Sequence, residues 1–243
     1  MVTNKDNTYL FLKGNKNKLV FNPPEDVFTK DFTLAIEFKP DIDHYTKMMK
    51  ETSFYTQGLV CKNGKHIGLF FTAGTDEIGN ILLKVSFEWW KKTDNPEVDE
   101  VKAIDFFPPS DSAENGYKVI VRKKRNEIEL VVNGKSKVAP IENVIDYSYS
   151  YTWVGCANRL DADYQHIFYG DISKMHLQEG LLDNDSCNLL FDDYQEFVKV
   201  HAFNRDKQVI FTSDFSQVTP YKVKDHSYNN NHIIKFSKAW LNT

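Results

Sequence analysis

Several features that would place a protein in a specialised class are scarce or missing in this sequence. Its 243 residues include three cysteines, with no C-x-x-C pair and no His/Cys spacing suited to zinc, which excludes a disulfide framework and a zinc finger. The net charge of -4 gives no basic surface for nucleic acid or an anionic membrane. No apolar run approaches a bilayer span, and the opening residues MVTNKDN lack an apolar stretch. We therefore expect no membrane segment and no secretion signal, and a protein that is cytoplasmic when made.

What remains is the composition of a globular protein rich in aromatic residues. Hydrophobic residues make up 41% of the chain and aromatic residues 14%, while 11 glycines and 8 prolines are too few for a linker-like or collagen-like sequence. No internal linker or low-complexity segment is visible, so we expect one domain over residues 1–243. The scattered cysteines Cys61, Cys156 and Cys187 are expected to be buried free thiols.

Alternating apolar and polar residues dominate the first 170 positions. The apolar residues of segment 32–38 alternate with Thr33, Ala35 and Glu37, a period of two that predicts a strand with one buried face. Asn133-Gly134 follows another alternating run and supplies the positive φ angles of a two-residue hairpin turn. Further strands are predicted at 68–72, 81–89, 118–122, 128–132 and 167–177. These patterns predict successive antiparallel strands.

Two segments depart from the strand pattern. Residues 91–114 are rich in charge and proline and predict a long loop between strands. From Leu190 to His201, large side chains recur at spacings of four, three and four, which predicts one helix with Asp185 or Ser186 as its N-cap. The predicted fold class is all-β: a two-sheet antiparallel β-sandwich of jelly-roll type with one short helix near the C-terminus.

Five segments in this order resemble a laminin-G-like domain of the concanavalin A-like lectin/glucanase superfamily. They are 19–21 with 32–40 (LVF, FTLAIEFKP), 59–62 with 67–70 (LVCK, IGLF), 117–122 with 129–135 (YKVIVR, ELVVNGK), 153–155 with 168–172 (WVG, FYGDI) and 181–185 (LLDND). The resemblance covers about residues 9 to 200 and implies the same concanavalin A-like sandwich.

The C-terminal segment is where the chain departs from that family. Residues 211–215 (FTSDF) and 224–232 (KDHSYNNNH) resemble an element that is the first strand in many family members. The termini of sandwich domains often lie close together, so a permuted order can close the same sheet. We therefore expect residues 208–243 to supply a circularly permuted strand or one donated to a neighbouring copy, against the plain alternative of an incidental Asn-rich tail.

Catalysis is not expected. Glycoside hydrolysis needs two carboxylates about 5–10 Å apart, and in the glucanase branch of the superfamily they lie on one strand as E-x-D-x-x-E. The nearest string, 97–102 (EVDEVK), lacks the last acid and follows Asp94-Asn95-Pro96, so we interpret it as a solvated loop. There is no G-x-S-x-G elbow and no H-E-x-x-H pair.

Calcium is the one cofactor that the sequence suggests. Asn158, Asp161 and Asp163 place three hard oxygen ligands close together, in a loop where laminin-G-like domains often carry acidic residues. A second loop, 76–80, is a candidate to complete the coordination. Asp and Asn are also the commonest turn residues, so a plain turn remains the alternative at both loops.

Ligand recognition is expected to involve exposed aromatic rings beside polar groups, because a ring can cover the apolar face of a sugar. Trp89 and Trp90 are consecutive, so on a strand they point to opposite faces, and Trp90 is the candidate for the ligand. Tyr164 and His166 flank the acidic loop, and Tyr149 lies in an alternating Tyr-Ser run, so each is a further candidate. Core packing is the alternative for every one of these rings.

The sequence as a whole favours a non-catalytic module that binds a glycan or a protein surface. The absence of a leader and the mostly Lys basic residues suggest a phage or other viral particle as its place. A structural or assembly protein of a virion, acting as a homo-oligomer or within a larger assembly, is the first alternative. A glycoside hydrolase is the second.

Overall fold

A computed structural model of the chain describes residues 10–12, 19–21, 27–49, 54–62, 67–91, 100–142, 144, 152–157, 166–202, 209–215, 218–219, 222–223, 225–227 and 235–236. Its strands are β1 (Leu10–Leu12), β2 (Leu19–Phe21), β3 (Phe32–Pro40), β4 (Phe54–Lys62), β5 (Gly68–Thr75), β6 (Ile81–Lys91), β7 (Glu100–Phe106), β8 (Tyr117–Lys124), β9 (Glu127–Val132), β10 (Lys135–Pro140), β11 (Thr152–Val154), β12 (Cys156–Ala157), β13 (His166–Ile167), β14 (Gly170–Glu179), β15 (Val209–Ser213), β16 (Val218–Thr219), β17 (Lys222–Val223) and β18 (Lys235–Phe236). The helices are α1 (Ile42–Met48), α2 (Asn184–Asp192) and α3 (Tyr194–Phe197), with a 3-10 turn at Ser110–Asn115 and a π-helical turn at Val198–Ala202.

The strands form two antiparallel sheets. In sheet 1 the order is β14-β3-β8-β9-β10, with β1 and β15 both paired to β14. In sheet 2 the order is β18-β2-β11-β4-β5-β6-β7. The remaining strands form two short ribbons, β12-β13 and β16-β17. The predicted fold class, a two-sheet antiparallel β-sandwich, is confirmed.

Aromatic side chains fill much of the space between the two sheets. Phe38 on β3 lies 5.7 Å from Phe71 on β5, 5.4 Å from Tyr117 on β8 and 5.5 Å from Phe168, measured between ring centroids. The Phe71 and Phe168 rings meet it edge to face, an arrangement that stabilises aromatic pairs beyond their buried area. This cluster fixes the separation and register of the two layers.

Two of the helices, α2 and α3, add a third layer on the outer face of sheet 1. Ala35, Ile120 and Val131 point away from the sandwich core and pack with side chains of α2, α3 and the turn that follows them. Sheet 1 is therefore buried on both faces where α2 and α3 cover it, which explains why Thr33 and Ala35 are buried as fully as the core residue Leu34 between them.

The hairpin predicted at Asn133-Gly134 is confirmed. Asn133 has φ of 47° and Gly134 of 79°, and the two residues alone connect β9 to β10. Lys135 pairs with Val132 at the start of the ladder. Cys61 and Cys187 are buried free thiols, also as predicted.

The predicted loop at 91–114 is wrong in part, because it contains β7. Glu100 to Phe106 pair with β6, and Glu100, Val101 and Lys102 therefore lie on a strand although they were interpreted as solvated loop. The missed signal has a physical reason. This strand is the last of sheet 2 in the described part of the chain, and charged, exposed residues are tolerated at such an edge.

The helical part also differs from the prediction in detail. The late helix is two short helices and a π-helical turn, and its N-cap is Asp183, whose carboxylate accepts a hydrogen bond of 2.7 Å from the Ser186 backbone N–H. A further helix, α1, begins after Asp41, which caps the His44 N–H at 3.0 Å. Seven residues are too short to show a helical period in the sequence.

The C-terminal strand β15 joins the chain's own sheet 1. Its register to β14 runs from Val209 opposite Gln178 to Ser213 opposite Met175. β1 pairs with the same side of β14 further along, Leu10 opposite Ile172. The two strands run in the same direction, so this side of β14 is completed by two pieces from opposite ends of the chain.

The two segments that resembled one family element meet in space. The Asp225 carboxylate is buried and accepts hydrogen bonds from the Thr212 N–H at 3.1 Å and from Ser227 through its N–H at 2.9 Å and its hydroxyl at 2.7 Å. His226 N–H donates to the Thr212 carbonyl at 2.8 Å. These hydrogen bonds hold residues 225–227 against β15.

Candidate functional site

A groove of about 610 Å³ lies on the outer face of sheet 1, next to α2. Its floor comes from β3, β8, β9 and β10, and α2 forms one wall. The side chains that line it are mostly polar: Glu37, Asn115, Lys118, Glu129, Asn133, Ser136, Asn184 and Asn188, with Ile120, Val131 and Phe191 among them.

Strand alternation explains why these side chains share one face. Lys118 and Ile120 on β8 point away from the core because Tyr117, Val119 and Val121 point into it. The register sets Glu37 opposite Lys118 and Ile120 opposite Val131, so the polar and apolar residues of three strands line up across the sheet.

Neighbouring groups hold the Glu37 carboxylate in place. It accepts a hydrogen bond of 2.8 Å from the Ser173 hydroxyl and lies 3.1 Å from the Lys174 ammonium group. Both partners are on β14, the strand next to β3. The carboxylate is thus oriented before any ligand arrives.

Glu129 is held in a similar way on the far side of the groove. Arg122 Nη1 donates to it at 2.8 Å, and Arg122 Nη2 donates to the Asn184 side chain at 2.7 Å. One guanidinium therefore links a strand carboxylate to the first residue of α2. Its fork geometry fixes both acceptors at once.

The hairpin turn supplies a third fixed group. Asn133 Oδ1 accepts from the Lys118 N–H at 2.8 Å, and Asn133 Nδ2 donates to the Gly116 carbonyl at 3.3 Å. The Lys118 ammonium group donates to Asp192 at 2.6 Å and lies 5.8 Å from the centre of the Phe191 ring. Asn188 and Ser136 are exposed beside these groups. The groove offers carboxylate, amide, hydroxyl and ammonium groups to a polar ligand.

A second polar cluster lies where α1 meets the start of β14. The His44 ring stacks on Tyr169 with centroids 3.6 Å apart, and the Tyr45 hydroxyl donates to the Tyr169 carbonyl at 2.8 Å. Burial raises the pKa of Asp171 to about 6. The charge of Lys39 lowers this pKa, and the charge of Asp41 raises it. Burial also lowers the pKa of His44.

Trp90 is the one predicted ligand residue whose side chain the structure describes. Trp89 is 3% exposed in the core between the sheets, and Trp90 is partly buried on the opposite face of β6, as the alternation predicted. Trp90 lies opposite Val101 of β7, on the other sheet from the groove. It does not contribute to that site.

The other predicted positions lie outside the described residues. These are Tyr149, Tyr164, Asn158, Asp161 and Asp163; of His166 the structure gives only its place on β13, paired with Ala157. In the described part of the chain, no three His, Cys, Asp or Glu side chains are grouped to hold a metal ion. The calcium site therefore stays a prediction.

Loop 76–80, the second candidate loop for calcium, lies within the described residues and forms a turn held by its own hydrogen bonds. The Asp76 carboxylate accepts hydrogen bonds from Asn80 through its N–H at 2.8 Å and its side chain at 3.0 Å, and from the Ile78 N–H at 3.1 Å. These bonds, first those from Asn80, lower the pKa of Asp76. Such hydrogen bonds are typical of a plain turn, and the part that this loop would take in a calcium site stays a prediction.

Sequence reasoning missed the groove itself. Glu37 and Glu129 were recognisable only as polar partners in alternating strands, and their neighbours in the groove come from β8, β10 and α2, far apart in the chain. Which strands are neighbours, and which face α2 covers, depends on pairings that no local pattern contains.

Comparisons with known proteins show the fold and leave the family open. No family model matches the chain, and neither does any curated protein. The enzymatically active domain of tailspike protein 2 from bacteriophage CBA120 is similar in structure, with a TM-score of 0.53, 11% identity, and coverage of 86% of this chain and 30% of that one. This chain thus spans less than a third of the tailspike domain.

Two other solved structures are more distant. The binding domain of botulinum neurotoxin serotype G has a TM-score of 0.45 at 12% identity, covering 75% of this chain and 40% of its own. An alginate lyase from Alteromonas sp. 272 has a TM-score of 0.32 at 12% identity, covering 68% and 88%. The laminin-G-like relationship stays a prediction. No helix in the described part of the chain is long and apolar enough to cross a membrane.

Proposed function

We propose that this chain is a non-catalytic recognition module that binds a glycan in the groove of sheet 1. The observation that carries the proposal is the set of polar groups already oriented there by hydrogen bonds to the protein. A sugar presents several hydroxyls at fixed spacing, each able to donate and accept. Groups that are fixed beforehand lose little conformational entropy when they bind it.

The carboxylates of the groove favour binding over catalysis. A glycosidase of the common type needs one carboxylic acid to protonate the leaving group. Glu37 is paired with Lys174 and Glu129 with Arg122. Both side chains are thereby oriented to accept hydrogen bonds from sugar hydroxyls.

We further propose a phage particle as the setting of this module. The similar tailspike domain belongs to a bacteriophage protein and is the enzymatically active domain of that protein. The glycan would then be a feature of the surface that the particle meets.

A glycan-array screen of the purified protein, with calcium present, tests the proposal. We expect reproducible binding to one class of sugar. The double variant N188A/S136A, which removes two exposed groups of the groove, should weaken binding about tenfold, since each neutral hydrogen bond contributes about 0.5–1.5 kcal/mol. Gln195→Ala, an exposed amide on α3 away from the groove, is the matched control.

A blank array would contradict the proposal, and so would binding that the double variant leaves unchanged. Loss of binding in Trp90→Ala with full binding in N188A/S136A would place the site on the other sheet, where the sequence first suggested it.

Assembly without sugar binding is the second candidate, and exposed apolar residues on β7 and β10 favour it. Val101 is 45% exposed and Val138 60% exposed on the last described strands of the two sheets. Such edges can pair with another chain. Light scattering decides this point: a multimer that Val138→Lys converts to a monomer supports assembly, and a wild-type monomer contradicts it.

A further inference from the structure

A smaller pocket, of about 330 Å³, lies where β6, β7 and β10 come together, away from the groove. Trp89 and Lys91 of β6 line it, with Lys102 of β7, Ala139 of β10 and Glu142 beyond that strand. Trp89 lies opposite Lys102 in the ladder between β6 and β7. One tryptophan and two lysines thus meet between the last strands of the two sheets.

The indole N–H of Trp89 is a donor that none of the described residues accepts, although the ring is buried. An indole nitrogen can only donate, and a buried donor without an acceptor destabilises the folded state. An acceptor brought into the pocket by a ligand would satisfy it.

The two ammonium groups in the pocket form ion pairs that are exposed to solvent. Lys91 Nζ lies 3.8 Å from a Glu142 oxygen, beyond hydrogen-bond distance, and Lys102 pairs with Glu100 on its own strand. The four side chains of these pairs are between 32% and 60% exposed. Pairs so exposed contribute little and can exchange partners.

We infer that this pocket binds the carboxylate group of a small acidic ligand. One carboxylate oxygen accepts the Trp89 N–H, and the negative charge lies between Lys91 and Lys102, displacing Glu142 from Lys91. A carboxylate fits better than a neutral hydroxyl, because the lysine ammonium groups form stronger hydrogen bonds with a charged acceptor than with a neutral one. The carboxylate comes from a free organic acid or from a uronic acid unit of a glycan, and the inference does not depend on the proposed function of the groove.

The test is the indole proton signal of Trp89 in a ¹⁵N spectrum of the whole chain, assigned by its disappearance in Trp89→Phe. Sodium glucuronate, sodium acetate, glucose and sodium chloride are titrated separately to about 50 mM, a range that detects millimolar affinity. We expect glucuronate to shift the signal with saturation. Lys102→Met should weaken that binding at least fivefold, and Lys124→Met, a lysine of β8 outside the pocket, should not change it.

The ligands separate the outcomes. A response to glucuronate and acetate alike supports a site for free organic acids, and a response to glucuronate alone supports a uronic acid unit. An equal response to glucose or to chloride overturns the inference, as does no response to any of the four. If the two sites are independent, the N188A/S136A variant keeps the response of the Trp89 signal. A negative result for the pocket can therefore be distinguished from a negative result for glycan binding in the groove.

Discussion

At the scale of single residues, Asp171 is expected to couple stability to pH. Its pKa of about 6 in the folded protein lies above the ordinary value of 3.8, because burial disfavours the charged form. The group therefore favours folding at low pH, and this contribution is lost as the pH rises through 6. Asp171→Asn should raise the free energy of unfolding at pH 7.5 by about 1 kcal/mol, after allowance for solvent screening of a partly exposed carboxyl.

Urea unfolding at pH 7.5 and pH 4 measures this effect. The gain should be largely absent at pH 4, where Asp171 is protonated in the folded protein. Glu127→Gln, which changes an exposed carboxylate on β9, is the control and should show little effect at either pH. An equal gain for Asp171→Asn at both values would rule out titration of this group as the cause.

Gly170 is a position where no other residue fits. Its φ is +147°, and a Cβ there would lie 2.2 Å from the Lys39 carbonyl oxygen and 2.9 Å from the Phe168 ring. Gly170→Ala should destabilise the protein by about 3 kcal/mol or more, through both the clash with backbone and the strained φ.

Gly79→Ala is the matched control for that substitution. Gly79 also has a positive φ, of +87°, but a Cβ there meets nothing within 4 Å. It should lower the free energy of unfolding by only about 1 kcal/mol, the strain alone. Thermal unfolding of the two variants separates strain from clash, and equal losses would contradict the close approach at Gly170.

At the scale of elements, the buried Asp225 is expected to stabilise the packing of residues 225–227 against β15 through its hydrogen bonds. Asp225→Ala removes the acceptor of three hydrogen bonds and leaves the buried Thr212 and Ser227 donors unpaired. We expect a loss of about 3 kcal/mol in chemical unfolding. Asp76→Ala, which also removes three hydrogen bonds but at an exposed turn, should lose clearly less.

The elements also show how far the sequence could predict this fold. The alternation of 32–38 and the Asn133-Gly134 turn located β3 and the β9–β10 hairpin, because a half-buried strand and a tight turn impose local patterns. β7 was not predicted from the sequence, because an exposed edge strand does not need alternating apolar residues. The N-cap was placed two or three residues late, since Asp183, Asp185 and Ser186 are all suitable cap residues and only the fold distinguishes them.

At the scale of the whole molecule, the C-terminal segment should be indispensable for the sandwich. All five residues of β15 are buried, Phe211 and Phe215 belong to the core between the sheets, and β18 adds to sheet 2 beside β2. A chain ending at Lys207 would expose one side of β14. We expect it to lose the cooperative thermal transition, and a deletion that melts like the full chain would contradict this.

A permuted chain tests the order of the sequence separately from its content. β15 and β1 pair with the same edge of β14 and run in the same direction. Both strands can therefore keep these pairings when the segment that contains β15 precedes β1 in the sequence. We therefore expect residues 208–243, placed before residue 1 through a flexible Gly/Ser linker, to give a folded monomer with a thermal transition close to the original. A permuted chain that folds only as a multimer would instead indicate that β15 is donated between copies. One that does not fold, although soluble full-length protein does, would show that the order of the segments matters and would end the hypothesis of a circular permutation.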